Sequence, residues 1–235
     1  MTDAHEAAAT PGASDGWDVL RRHYEACLRE YGATPRGVDW PNGADLATRF
    51  GALLDVLAEA GPMPVLLDLG CGPGFLLDYL AATGGPDRVR YRGIDLSSAM
   101  VEVARQRWPE HDFSCRDIIA EPLPEQSVDV VIMNGVLTER RSLSVEAMTG
   151  LAESLIRAAF RTARVGIAFN VMNAHVDRPR DDLFHWPFDA LADYLRRTLS
   201  RHYTLRADYG LYEYICLVLR EPRRPVPPAA DRWWR

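Results

Sequence analysis

The sequence has no long apolar run. Nowhere in its 235 residues is there a stretch of about 18 consecutive apolar residues, the length that a membrane-spanning helix needs. The segment from Met1 to Gly16 is small and polar, and it lacks the apolar core of a secretory signal peptide. These two absences predict a cytoplasmic protein with no membrane partner.

Cysteine is scarce, and its four positions, Cys27, Cys71, Cys115 and Cys216, are far apart. No Cys-x-x-Cys pair or Cys/His spacing typical of zinc occurs, so we predict reduced thiols and no metal. An excess of basic charge is also absent, because 33 acidic residues outnumber 27 basic ones and give a net charge of −6. Binding to a nucleic-acid backbone depends on basic charge, so a nucleic-acid partner is not expected.

What the sequence does have is a short apolar strand, a glycine-rich turn and an apolar helix in immediate succession. Residues 65–77 read Val-Leu-Leu-Asp-Leu-Gly-Cys-Gly-Pro-Gly-Phe-Leu-Leu. Val65 to Leu69 is typical of a buried parallel strand, and Gly70, Gly72 and Gly74 form the turn. Without Cβ atoms, such a turn lets a ligand approach the backbone N–H groups at the start of the helix. The stretch therefore predicts a site for a nucleotide-like ligand.

The spacing of the glycines separates two families that use such a turn. The dinucleotide fingerprint G-x-G-x-x-G/A has a small residue at the position where this chain has Phe75. Asp68 followed by Gly-x-Gly-x-Gly instead resembles motif I of class I S-adenosylmethionine (SAM)-dependent methyltransferases. In that family the turn holds the amino-acid part of SAM, so the resemblance implies cofactor contacts from Asp68, Gly70, Cys71, Gly72 and Gly74.

The predicted second strand, 89–95, ends on an acid. Asp95 lies 25 residues after Gly70, which is near the spacing of a carboxylate that binds a ribose diol. Its two oxygens can accept both hydroxyl protons. We therefore take Asp95 and the adjacent Leu96 as cofactor contacts, although an acid at this place is also found in proteins that bind NAD.

The next two strands extend the resemblance. By position, the family pattern implies that Asp117 receives the adenine amino group and that Ile118 packs on the ring. Asn134 follows the apolar run 128–133 and corresponds to motif IV, beside the transferable methyl group, with Gly135 next to it. Nucleic-acid amino methyltransferases carry Asp/Asn/Ser-Pro-Pro-aromatic there, whereas this chain has Asn-Gly-Val-Leu, which disfavours a nucleobase acceptor.

The alternation of apolar runs and amphipathic stretches predicts an α/β fold. We expect a doubly wound seven-stranded sheet, mostly parallel with an antiparallel C-terminal strand, as in the methyltransferase class that the chain resembles. The chain divides into a disordered N-terminus (1–16), a helical lid or cap (17–60), a Rossmann-like SAM-binding domain (61–220) and a Pro/Arg-rich tail (221–235).

Two amphipathic helices are predicted in the cap, where they can lie over the carboxyl edge of the sheet. Tyr24 and Trp40 are therefore candidate substrate contacts, and the alternative that they belong to the core is about equally good. Arg49 lies inside an apolar helix, where an arginine usually has a carboxylate partner. That partner is either the carboxylate of SAM or an acidic side chain.

The connection 170–186 is long and polar, and loops of this kind at a sheet's carboxyl edge are often functional. We take His175 and His185 as the leading general bases, because the unperturbed pKa of histidine lies near operating pH. Asn134 is the third catalytic candidate. The other polar residues expected near the acceptor are Asp177 and Glu213 as alternative bases, Tyr212 as a substrate contact, and Glu139 in either role.

These observations predict a methyltransferase that transfers a methyl group from SAM to a hydroxyl or amine of a small molecule, such as a sugar, an amino acid or a natural-product intermediate. Two alternatives use the same site: a cyclase or lyase acting on the aminobutyrate chain of SAM, and a non-catalytic SAM-binding domain. The acceptor is the expected partner, and the chain is expected to be a monomer or a homodimer.

Overall fold

The structure is a computed structural model that describes residues 13–84 and 86–223. Its centre is a sheet formed by β1 (Val65–Leu69), β2 (Arg90–Asp95), β3 (Asp112–Cys115), β4 (Val128–Leu137), β5 (Ala163–Asn173), β6 (His185–Trp186), β7 (His202–Arg206) and β8 (Glu213–Leu219). The α-helices are α1 (Ala13–Tyr31), α2 (Gly43–Leu53), α3 (Phe75–Thr83), α4 (Ser98–Arg107), α5 (Val145–Thr162) and α6 (Phe188–Thr198), and 3-10 helices cover Pro35–Val38 and Leu54–Glu59.

The strand order confirms the predicted fold class. Seven strands follow the path β3-β2-β1-β4-β5-β8-β7, and β8 runs antiparallel to both of its neighbours while the other pairs are parallel. The eighth strand, β6, has two residues and pairs with β5. It lies within the connection that the sequence predicts as a loop.

Helices cover both faces of the sheet, which is why its central strands are apolar throughout. Side chains of α1, α5 and α6 pack in one core with Leu67 and Val131. Side chains of α2, α3 and α4 pack in a second core with Leu66 and Val130, which point to the opposite face. The sheet is thus a buried and rigid platform for the loops at its edges.

The order of the strands reverses at β1, which pairs with β2 on one side and with β4 on the other. In open α/β sheets, the crevice at such a point, outside the carboxyl ends of the strands, is where ligands bind. The glycine turn after β1 and the ends of β2 and β4 all meet at this edge. The fold therefore brings together the segments that carry the predicted cofactor contacts.

Some boundaries differ from the predicted ones. Helix α1 begins at Ala13, inside the segment predicted to be disordered, because Trp17 and Leu20 pack in the core and anchor the turn before them. Residues 1–12 and most of the predicted tail, from 224 onward, lie outside the described residues. β5 runs on to Asn173, beyond the predicted strand 165–169, because β6 and β8 pair with its end. Across the described ranges, every helix is too short or too polar to cross a membrane.

Candidate functional site

A cavity opens at the carboxyl ends of β1, β2 and β4, beneath α1 and the turn that follows it. Its empty volume, including open solvent at the mouth, is about 880 Å³. Eight of the predicted cofactor contacts line it: Gly70, Gly72, Asp95, Leu96, Asp117, Ile118, Asn134 and Gly135. So do two of the predicted substrate contacts, Tyr24 and Trp40.

The glycine turn is held against the end of β2 by its own backbone. The N–H groups of Gly70 and Cys71 both donate to the carbonyl oxygen of Ile94, at 2.7 and 3.1 Å. Gly70 has a φ of +79°, and a Cβ there would lie 2.3 Å from Cγ2 of Val136. Only glycine fits this conformation and this approach of β1 to β4. Cys71 is buried and Gly74 begins α3 as its N-cap; neither lines the cavity.

Asp95 connects β2 to the glycine turn. Its Oδ2 accepts from the N–H of Gly72 at 2.9 Å, and its Oδ1 accepts from the N–H of Ser97 at 2.8 Å. Burial raises the pKa of Asp95, and these backbone donors oppose that rise. Each carboxylate oxygen uses one lone pair here and keeps another. The side chain is thus fixed in place and can still accept two hydrogen bonds from a vicinal diol.

Asp68 lies beneath the turn rather than in the cavity wall. It is almost fully buried, and its Oδ2 accepts from the hydroxyl of Tyr91 at 2.9 Å. Burial raises its pKa to about 7, against the effect of the Tyr91 hydrogen bond. Its carboxylate therefore faces the core beneath the cavity, where the hydrogen bond from Tyr91 joins β1 to β2.

Replacing Asp68 by asparagine is expected to flatten the dependence of stability on pH. Folding raises the pKa of Asp68 from 3.8 to about 7, so between these values the folded state holds a proton that the unfolded state has lost. The free energy of unfolding therefore falls as pH rises, and Asp68 accounts for about 1 kcal/mol of that fall between pH 6 and pH 8. Chemical denaturation of both proteins at the two pH values measures the difference; equal slopes would contradict this origin.

The regular pairing of β4 with β5 is interrupted where β4 lines the cavity. Met133 pairs with Phe169 and Leu137 with Val171, so four steps along β4 oppose two along β5. The three residues in between, Asn134 to Val136, oppose Asn170 alone and form a bulge, a feature often found beside active sites.

Hydrogen bonds from three elements hold the middle of this bulge. Gly135 has a φ of +78°, its N–H donates to Oδ1 of Asn170 at 2.7 Å, and its carbonyl oxygen accepts from Oγ1 of Thr138 at 2.8 Å and from the hydroxyl of Tyr24 at 3.2 Å. The side-chain Oδ1 of Asn134 is buried without a donor. It is an acceptor available to a ligand in the cavity.

The segment after β3 supplies the far end of the cavity. Asp117 Oδ1 accepts from the N–H groups of Ile119 and Ala120, at 2.8 and 3.3 Å, which fixes the side chain as the cap of a turn. Ile118 is buried and lies in the wall beside it. An acid next to an apolar side chain suits a heteroaromatic ring that carries an amino group.

Trp40 packs directly on the bulge and forms the cavity wall beside it. A Cβ on Gly135 would lie 2.6 Å from Cζ2 of its ring. Behind Trp40, the guanidinium of Arg49 stacks 3.8 Å from the ring centroid, and its Nε lies 2.9 Å from Oε1 of Glu213. Both charged side chains are buried. Arg49 thus lies outside the cavity and has an acidic side chain as its partner.

Glu139 is also buried outside the cavity wall. Its Oε2 lies 2.9 Å from Nε of Arg141. Burial raises the pKa of Glu139 to about 7, although Arg141 lowers it. Glu213 is the other buried acid among the predicted bases. Burial raises its pKa above the ordinary value, although Arg49 opposes that rise.

The structure does not bring the predicted histidine bases into the cavity wall. His185 is held by the backbone, because its Nδ1 lies 2.7 Å from the carbonyl oxygen of Asn173 and its Nε2 accepts from the N–H of Arg180. His175 is exposed and stacks on Phe188 at 6.1 Å. Asp177 and Tyr212 are exposed as well, and neither lines the cavity.

Several residues in the wall were not among the sequence candidates. Trp17, Leu20 and Arg21 of α1 contribute to it, as do Val38 in the cap turn (residues 35–40) and Leu155 of α5. The helical spacing of Trp17, Leu20 and Tyr24 predicts one buried face of α1. The spacing alone does not show that this face of α1 lines a cavity in addition to packing in the core.

Comparison with known proteins is consistent with this geometry. A family model described as a methyltransferase domain matches residues 66–158. A putative methyltransferase of Mycobacterium tuberculosis (strain ATCC 25618 / H37Rv), Rv1506c, is 36% identical over 157 residues, which are 64% of this chain and 90% of that protein. A malonyl-[acyl-carrier protein] O-methyltransferase of Yersinia pestis is 33% identical over 95 residues, 40% of this chain and about a third (34%) of that protein's length.

A solved structure shows the same fold. The crystal structure of magnesium protoporphyrin IX methyltransferase from Synechocystis PCC 6803 with bound SAM matches with a TM-score of 0.59 over 92% of this chain and all of that chain (100%), at 16% identity. At that identity the likeness concerns the fold alone. The match to the mycobacterial relative covers 90% of that protein, and together with the family model it shows the family as well as the fold. The chain belongs to the SAM-dependent methyltransferase family.

Proposed function

We propose that this chain transfers the methyl group of SAM to an oxygen or nitrogen atom of a small molecule inside the cavity beneath the cap. The observation that carries the proposal is the continuity of that cavity. It runs from Asp95 and Asp117, which suit a nucleoside, to the bulge of β4, on which Tyr24 of α1 and Trp40 pack. The acceptor would meet the methyl group at the end beside the bulge.

The residues present fit SAM. Asp95 has two free lone pairs for the ribose hydroxyls, and Asp117 and Ile118 suit the adenine amino group and ring. The unpartnered Oδ1 of Asn134 offers an acceptor to the donor groups of the amino-acid end. SAM supplies an electrophilic methyl carbon, whose bond to sulfur breaks as the bond to the acceptor forms, leaving S-adenosylhomocysteine (SAH).

The contribution of the protein is alignment and exclusion of water. An in-line displacement needs the nucleophile and the methyl carbon held at a close and fixed distance, and such positioning can supply most of the catalytic effect. The bulge of β4 is fixed by Asn170, Thr138 and Tyr24. Trp40 packs directly on it, so the reacting atoms would lie beside a rigid strand and a rigid ring.

A small acceptor, or a small group on a larger carrier, is favoured because it shares one cavity with the cofactor. The carboxylates in the wall, Asp95 and Asp117, are assigned to the cofactor, and the cavity lining drawn from the described residues contains no histidine. An acceptor that is already ionised, such as a carboxylic acid, needs no general base. The Yersinia pestis relative is named for O-methylation of a malonyl group on a carrier protein, so acids belong first in an acceptor panel.

Incubation with methyl-labelled SAM and a panel of carboxylic acids, alcohols, phenols and amines tests the proposal. We expect label in one acceptor class and release of one SAH per methyl group transferred, measured by mass spectrometry. Release of methylthioadenosine without an acceptor would instead show cyclisation of the aminobutyrate chain. Tight SAH binding with no product from any acceptor would favour a binding domain. The Asp95→Asn variant serves as the control for turnover outside this cavity.

A further inference from the structure

The guanidinium of Arg141 is one of the groups that join the cap to the sheet side of the cavity. Nη2 of Arg141, four residues after the end of β4, contacts Oδ2 of Asp39 and lies against Nε2 of His23. The other nitrogens face the sheet side: Nε lies 2.9 Å from Oε2 of Glu139, and Nη1 lies 3.2 Å from Oδ2 of Asp182. Arg141 therefore faces three carboxylates that belong to three separate segments of the chain.

Each cap residue in this contact precedes an aromatic residue of the cavity wall. His23 is followed by Tyr24, and Asp39 is followed by Trp40. Tyr24 and Trp40 cover the bulge of β4 from α1 and from the end of the cap turn. We propose that Arg141, with Asp39 and His23, forms a cap latch, in which Arg141 is a positioning residue that holds these two aromatic side chains over the methyl-transfer end of the cavity.

Backbone conformation supports the assignment. Within the described ranges, four residues other than glycine have a positive φ, and two of them are Asp39 (φ 60°) and Arg141 (φ 51°). Aspartate adopts the left-handed region readily, and Asp39 does so as the C-cap of the 3-10 helix Pro35–Val38. For the long side chain of Arg141 the region is unfavourable, and it persists where surrounding contacts impose it. The backbone of Arg141 is thus held in a conformation that lets its side chain reach Asp39.

The charges explain why an arginine occupies this place. Asp39, Glu139 and Asp182 converge, and without a cation between them they would repel one another. The ligand atoms of His23, Cys27 and Asp39 also lie within 4.8 Å of one another, a spacing that could suit a metal ion. The guanidinium of Arg141 already supplies the positive charge at that point. The geometry therefore points to a latch rather than to a metal site.

Hydrogen exchange on the SAH-free protein, with SAH titration as a second readout, tests the cap latch. Arg141→Met removes the cation, and Asp39→Asn removes its cap partner while keeping the side chain's size. The amide N–H groups of Asp39 and Trp40 donate to Arg36 and Pro35 in the closed turn. We expect these two amides to exchange at least about fivefold faster in each variant, and SAH to bind more weakly by a similar factor.

Two controls separate the latch from general loss of stability. Arg206→Met removes a guanidinium that also bridges two carboxylates, Asp55 and Asp208, and should leave both readouts unchanged. Because the two latch variants break one contact, the double variant should exchange no faster at these amides than Arg141→Met alone. Unchanged exchange at Asp39 and Trp40 in both single variants would overturn the latch.

The cap latch rests on the proposed function only in the statement that Tyr24 and Trp40 lie over the methyl-transfer end of the cavity. The cap latch and the proposed function can therefore fail separately. If the wild-type protein does not bind SAH, the proposed function fails, and exchange at the cap turn still decides on the latch. If SAH binds but the latch variants match the wild type in both readouts, the latch fails and the proposed function stands.

Discussion

Asp95→Asn is expected to weaken SAH binding by about 100-fold, since asparagine keeps one acceptor oxygen and the ribose would lose one hydrogen bond to a charged group, worth about 1.5–3 kcal/mol. The amide cannot reproduce the carboxylate, because its Nδ2 would face one of the two N–H groups, of Gly72 or Ser97, that now donate to Asp95. Isothermal titration measures the change in affinity.

The matched control is Asp112→Asn on the neighbouring strand. Asp112 is an exposed acid that pairs with Arg92, so its removal changes the net charge equally and leaves the cavity intact. We expect SAH affinity close to that of the wild type. If Asp95→Asn also binds SAH normally while its thermal unfolding is unchanged, the ribose does not lie against this carboxylate.

Arg49→Met is expected to lower the free energy of unfolding by about 3–5 kcal/mol at pH 8, because it leaves the buried carboxylate of Glu213 without its cation. The same change removes the side chain that stacks behind Trp40. Protonation can neutralise the stranded acid, whose pKa is already raised by burial. The loss should therefore shrink as pH falls toward 5, and denaturant unfolding at the two pH values measures it.

Removing both charges tests whether the lost stability comes from the unpaired carboxylate of Glu213 or from the loss of the Arg49 side chain itself. Arg49→Met combined with Glu213→Leu should recover most of the lost stability, since no buried charge remains. Arg92→Met, which breaks the exposed pair with Asp112, should change stability by no more than about 1 kcal/mol. A double variant as unstable as Arg49→Met alone would show that the lost stability does not come from the stranded charge.

The sequence predicted the parts of the site that depend on neighbours along the chain. The glycine turn, with the strand before it and the helix after it, is a local pattern, and Asp95 ends its strand at a characteristic distance from that turn. Because parallel strands share one carboxyl edge, placing these residues on successive strands was enough to place them in one cavity. The fold class followed from the same alternation of strands and helices.

Features that depend on distant partners could not be predicted in the same way. Arg49 and Glu213 are 164 positions apart, so a carboxylate partner was foreseen but not its identity. The cap latch joins Asp39 to Arg141, 102 positions later. The composition of the loop after β5 favoured His175 and His185 as bases, but backbone contacts of β6 turn His185 toward Asn173 and Arg180. Their catalytic role stays a prediction.

A crystal structure of the wild-type protein with SAH tests the central claim most directly. The account predicts the ribose hydroxyls within hydrogen-bond distance of Asp95, the adenine beside Asp117 and Ile118, and the sulfur facing the part of the cavity wall that Gly135 and Trp40 form. SAH bound elsewhere, or bound here with its ribose away from Asp95, would contradict it.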